Sequence, residues 1–185
     1  MEIMLKLGFS RCEGDQAVFY RRCGKTNVLI IVLVHVDDCS IVGKSKVLIS
    51  RFKVKIAKSV EITDMGELHW ILGIEVHRIH EEQKLLLSQK SYIDSILQCY
   101  SFEDQKPVST PMDPNIQLTS AQSPSTTEEL GAMHNVPYHE AVGSLMYMTL
   151  GTRLDICFAI QTISRFNSKP GLAHWEAVVM NFCLH

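Results

Sequence analysis

The apolar positions of this chain change period several times, and each change predicts an element. Residues 28–34 form an uninterrupted run of valine, leucine and isoleucine, followed by His35-Val36-Asp37-Asp38-Cys39 and a second apolar pair, Ile41-Val42, before Gly43. So long a run of branched residues predicts a strand covered on both faces, and Asp-Asp between two such runs is common turn chemistry. The pattern therefore predicts an antiparallel hairpin with two acids at its tip. Leu48, Phe52 and Ile56 then recur every fourth position, which predicts an amphipathic helix. Residues 69–76 and 85–87 read as two further strands, joined across a polar turn at 80–84, with Trp70 a candidate for the core.

Beyond that point the period becomes helical. Tyr92, Ile93, Ile96, Leu97 and Tyr100 predict a helix over 89–100, with Ser88 available as its cap. Residues 107–137 carry five of the six prolines among many serines and threonines, a composition that predicts a connection of low intrinsic order. From Tyr138 onward, Ala141, Val142, Leu145, Met146 and Met148 predict a helix, and Thr152-x-x-Asp155 predicts a cap leading into a second helix through Phe166. The two helices are expected to pack as a pair. The fold class is α+β, in three stretches: 1–100, a connection over 101–137, and a helical part over 138–185.

Composition adds limits. With 185 residues, 46% hydrophobic and 21% charged, the chain is an ordinary globular one able to bury a core, and its net charge of -2 carries no global signal for nucleic acid. Locally, Lys44, Lys46, Arg51, Lys53, Lys55 and Lys58 place six cations directly after the acidic hairpin. They read either as a phosphate-facing strip, with Lys44, Lys46 and Arg51 as candidate contacts, or as the solvated face of the predicted helix. The six cysteines never occur as Cys-x-x-Cys, which fits reduced intracellular thiols better than a zinc site. His77 with His80, and His134 with His139, lack a partnering cysteine or glutamate motif and read as solvated or packing histidines. The N-terminus shows no small-residue cleavage signal and the apolar run at Val28 is far below membrane-spanning length, so neither secretion nor insertion is expected.

The candidate chemistry is the Asp37-Asp38 pair. Adjacent carboxylates on a rigid hairpin can hold divalent cations, although an acidic turn without chemistry has the same local sequence. The blocks around the pair resemble, in order, the reverse transcriptase of copia-type long-terminal-repeat retrotransposons. They are Leu7-Gly8-Phe9 with Asp15, then His35-Val36-Asp37-Asp38, Asp64-Met65-Gly66, Leu72-Gly73-Ile74-Glu75, Leu87-Ser88-Gln89, and the stretch from Pro107 to Met112. Val142-Gly143-Ser144-Leu145-Met146-Tyr147, Thr152-Arg153-Leu154-Asp155-Ile156 and Ser164-Arg165-Phe166 follow, with Pro170 and His174, so the resemblance runs nearly end to end.

The resemblance implies part of a polymerase palm, made of antiparallel hairpins with helices, followed by a thumb and connection. Asp37 and Asp38 would be catalytic, Asp37 binding Mg2+ or Mn2+ most directly. Trp70, Leu72, Gly73, Ile74 and Glu75 would form a primer grip, where Gly73 permits close backbone approach. Partners would be an RNA or DNA template–primer and a deoxynucleoside triphosphate, in an intracellular setting without a membrane. Such an enzyme takes three carboxylates from two strands, and the remaining aspartate belongs to a strand well upstream of Gly8-Phe9. The chain alone is thus expected to lack polymerase activity, with the fingers also missing and the block opened by His174-Trp175 stopping short of the RNase H region. His35 stands where an aromatic usually precedes Val-Asp-Asp, and Leu154 replaces a proline. The alternative is a non-enzymatic module that retains surfaces for nucleic acid or protein.

Overall fold

A computed structural model describes residues 2–24, 27–113 and 115–184. Its contacts divide the chain into two compact units, Met1–Ile71 and Leu72–His185. The mixture of helices with antiparallel strands is the α+β class that the sequence pattern predicts.

The first unit is a sheet backed by helices. A short helix α1 (Glu2–Lys6) leads into β1 (Ser10–Arg11), β2 (Val18–Cys23), β3 (Val28–His35) and β4 (Asp38–Gly43), which pair antiparallel in that order. Helix α2 (Lys46–Ile56) follows, and a two-residue strand β5 (Trp70–Ile71) ends the unit. Ser45 caps α2 by accepting from the Leu48 amide at 3.4 Å. Met4, Phe9, Phe19, Ile30, Val32 and Phe52 form the core, with Leu48 and Ile56 packed against it. The four-residue spacing thus faces the sheet as expected. Burying a side chain such as Phe52 is worth about 1.5–3 kcal/mol, which is what holds α2 on the sheet.

The run at 28–34 predicts a strand covered on both faces, yet only the face of Ile30 and Val32 is buried, while Leu29, Ile31 and Leu33 are half-exposed. The helices lie on one side only, so the alternate residues of β3 form an uncovered face with Tyr20, Val42 and Ser40 of the neighbouring strands.

The second unit joins a hairpin to a helical bundle. Strands β6 (Ile74–Ile79) and β7 (Lys84–Ser88) pair in register from Glu75 opposite Ser88 to Ile79 opposite Lys84. Where the sequence suggested one strand over 69–76, Leu72 and Gly73 both take positive φ, +50° and +74°, and the chain turns. The Tyr147 hydroxyl donates to the Leu72 carbonyl and lies 3.0 Å from where a Cβ on Gly73 would stand, so the turn is held from outside the strand. Trp70 is 51% exposed and is not a core residue.

Helices α3 (Lys90–Tyr100), α4 (Thr127–Met133), α5 (Tyr138–Gly151), α6 (Cys157–Ser164) and α7 (Leu172–Phe182) complete the unit. Gln89 occupies the cap position of α3, while Ser88 Oγ, the expected cap, accepts from the Lys90 amide at 3.2 Å. Tyr138, Leu145, Ile156, Ile160, Ile163 and Val178 belong to one core, which packs α5 against α6 as predicted, and the buried Tyr138 hydroxyl donates to the Ile163 carbonyl at 2.8 Å. Within the proline-rich stretch, Thr126 and Glu129 cap α4 reciprocally and Ser120–Gln122 forms a 3-10 turn. Thr152 does not cap the next helix. Its hydroxyl donates to Gln89 Oε1, and Arg153 pairs with Asp155 at 2.9 Å at the start of a 3-10 turn, Leu154–Ile156.

Candidate functional site

The register of β3 and β4 determines what the acidic hairpin presents. His35 pairs with Asp38, which leaves Val36 and Asp37 as a two-residue loop, and Val36 takes φ +51°. A positive φ at the first loop position suits the twist of a tight hairpin, but a β-branched residue adopts it under strain. Val36 is 84% exposed, so its side chain gains nothing from the core in return. Asp37 and Asp38 are both exposed, and neither carboxylate has a hydrogen-bond or ion-pair partner among the described residues. By strand alternation Asp38 stands on the uncovered face of the sheet, in line with His35, Leu33, Ser40 and Val42.

This pair fits a hard divalent cation in donor type, since both acids offer free carboxylate oxygens. Among the described residues no third histidine, cysteine or acid gathers with them into a cluster able to hold a metal. Asp15 is engaged locally, accepting the Ala17 amide at 2.8 Å.

The other candidate residues lie elsewhere. Trp70 sits in β5, at the end of the first unit. In the second unit, Leu72 and Gly73 make the turn held by Tyr147, while Ile74 and Glu75 open β6, with Glu75 Oε1 2.9 Å from His77 Nε2. Lys44 lies in the link before α2. Lys46 and Arg51 line a groove of about 730 Å³ beside α2, together with Arg21, Lys55 and Lys58. Lys53 does not line this groove and pairs with Asp64 at 2.5 Å, and that bond holds the Asp64 carboxyl below its usual range.

Sequence reasoning did not single out Arg21, which strand alternation places on the same face of β2 as Phe19 and Cys23. Its Nη1 donates to the Leu7 carbonyl at 2.7 Å and its guanidinium lies 4.7 Å from the Phe9 ring. Gly8-Phe9 is thereby tied to the sheet. In the sequence Tyr147 stands only as part of a motif, and no local signal reveals its reach to Leu72.

Residues 1–114 match the family model described as reverse transcriptase (RNA-dependent DNA polymerase). This chain belongs to that family. It is 44% identical over 92% of its length to the retrovirus-related Pol polyprotein from transposon TNT 1-94 of Nicotiana tabacum, and 32% identical over 95% to that from transposon RE1 of Arabidopsis thaliana. The copia-type retrotransposon resemblance of the motifs is therefore upheld. Because the chain spans only 13% and 11% of those two polyproteins, it corresponds to a small part of either. An uncharacterized mitochondrial protein of Arabidopsis thaliana is 30% identical over 78% of this chain and 56% of its own length. No solved structure matches.

Proposed function

We propose that this chain is the portion of a retrotransposon reverse transcriptase that presents the carboxylate pair, and that it does not polymerise DNA by itself. The observation that carries this reading is the unpartnered, exposed Asp37-Asp38 pair at the tip of a two-residue hairpin, on the open side of a helix-backed sheet. Asp37, on the loop, and Asp38, on the first residue of β4, would each offer oxygens to Mg2+ or Mn2+. Two such ions, when bound, activate the primer hydroxyl and stabilise the departing pyrophosphate. The chain's own share is to hold two adjacent carboxylates rigidly where β3 and β4 meet, and to offer the face of Leu33, Ser40 and Val42 beside them.

An RNA or DNA template–primer and a deoxynucleoside triphosphate are the ligands this reading requires, with Trp70, Leu72, Gly73, Ile74 and Glu75 as the primer-terminus contacts and an intracellular setting. The third carboxylate, which two-ion chemistry also takes, would have to come from another strand. Primer extension on an RNA template, in Mg2+ and then Mn2+, tests the proposal alongside Asp37→Asn and Asp38→Asn proteins. The expected result is no incorporation by the folded parent, together with Mn2+ binding that both substitutions weaken. Incorporation by the parent that both substitutions abolish would overturn the inactivity, and Mn2+ binding indifferent to both would overturn the metal assignment.

A further inference from the structure

Strand β7 pairs with β6 along one side, and among the described strands none lies against its other side. Alternate residues of such an edge strand point their N–H and C=O groups outward, which makes a template for another strand. Proteins usually blunt an open edge with charge, proline or a bulge. Between its ends β7 has none of these, since its register with β6 is continuous and its interior is Leu85-Leu86-Leu87. The three leucines are 51%, 50% and 49% exposed, and strand alternation puts leucine on both faces. Lys84 is the one charge in the strand, at its first residue, and it is drawn back to Glu82 of the turn at 2.6 Å. A run of exposed leucines on an open edge is a surface that association would cover.

The sequence of β7 complements itself. Residues opposed across an antiparallel edge must both face outward or both face inward, so a two-fold pairing of β7 with a second β7 has to centre on a residue. Leu86 is the one centre that pairs all five residues of the strand. In that register Leu86 meets Leu86 of the second copy on one face, while Leu85 and Leu87 meet Leu87 and Leu85 on the other. Lys84 falls opposite Ser88, so no like charges oppose each other. Just beyond the strand ends the matching positions are opposite in charge, Glu82 against Lys90 of the second copy. A parallel pairing in register would instead set Lys84 against Lys84. We propose that β7 is a homodimerisation edge, through which two copies of this chain join their β6–β7 hairpins antiparallel about Leu86 into one continuous sheet. A strand of another protein could satisfy the same backbone groups, but the match of leucine to leucine and of glutamate to lysine is already present in this sequence.

The test is sedimentation equilibrium of the full chain, in reductant because Cys39, Cys99 and Cys157 are exposed. The parent is expected to pass from the mass of one chain to that of two as concentration rises. Leu86→Lys and Leu86→Glu each put like charges directly opposite at the two-fold centre, and each is expected to weaken the dimer about tenfold or more, while an equimolar mixture of the two recovers it. Leu130→Lys, on α4 and likewise 51% exposed at the parent leucine, is the control and associates as the parent does. A monomeric parent overturns the proposal, and so do Leu86 variants that still dimerise or folded variants whose mixture does not. Assemblies that grow past two chains overturn the two-fold pairing. A second measurement needs no substitution, because amide exchange at β7 of the parent should slow as concentration rises while exchange in α6 stays the same. Exchange at β7 indifferent to concentration overturns the edge assignment, whatever the variants do.

Discussion

Thr152 Oγ1 donates to Gln89 Oε1 at 2.8 Å, joining two residues 63 positions apart in the chain. Gln89 is 2% exposed, and its Nε2 donates on to the Tyr147 carbonyl at 3.4 Å. One amide thus ties the start of α3 to the end of α5. Replacing it by leucine keeps the volume but leaves both partners without it, an asymmetry worth about 1–3 kcal/mol. Gln89→Leu is expected to lower unfolding stability by that amount in urea titration. A Cβ on Gly151 would stand 2.5 Å from the Gln89 side chain, so Gly151→Ala must displace the same group. The two substitutions combined are therefore expected to cost less than their sum.

His174 is fully buried, stacks on Phe166 at a centroid distance of 4.0 Å, accepts the Gly171 amide at Nδ1 (2.9 Å) and bonds the Thr119 carbonyl through Nε2 (3.1 Å). With one nitrogen accepting and the other donating, the ring is neutral. Burial lowers its pKa, against an opposing contribution from the Thr119 carbonyl. The unfolded chain therefore takes up the proton first as pH falls. The stabilisation is complete above the unfolded value of about 6.5 and declines as pH drops through it toward the folded value. Unfolding free energies measured from about pH 7.5 to about pH 5 should show this decline in the parent, and a shallower one in His174→Gln.

Val36 carries φ +51° with its side chain in solvent. Val36→Asn places at that position a residue that tolerates the left-handed region, and is expected to stabilise the first unit by about 1 kcal/mol. Thermal unfolding measures it. An unchanged or lowered midpoint would show that the loop does not store that strain.

Tyr147 meets Tyr92 edge-on at 4.7 Å while its hydroxyl reaches Leu72. Tyr147→Phe keeps the ring contact and removes the bond. The expected outcome is a loss of about 0.5–1.5 kcal/mol and faster amide exchange over residues 73–76, with exchange in α6 unchanged. Equal acceleration throughout the second unit would mean that the hydroxyl does not act locally on the turn.

Most local elements, and the family, are legible in the order of the residues. A run of branched residues broken by two acids makes a hairpin wherever it folds, because alternation and turn chemistry are properties of neighbouring residues. The four-residue recurrence of Leu48, Phe52 and Ile56 likewise named the buried face of α2 before any partner for it was known. The ordered motifs point to the reverse transcriptase family, whose model residues 1–114 match. The remaining features depend on residues far apart in the chain. Whether β3 is covered on one face or two depends on where the helices pack, and Thr152 finds Gln89 instead of capping its own helix. Leu72 and Gly73 turn where a strand was expected, under a hydroxyl contributed by α5, and Arg21 shares a groove with Lys46, Arg51, Lys55 and Lys58 only because the sheet and α2 pack together. Local pattern carries no information about these pairings, since each bond depends on a partner that chain proximity does not supply.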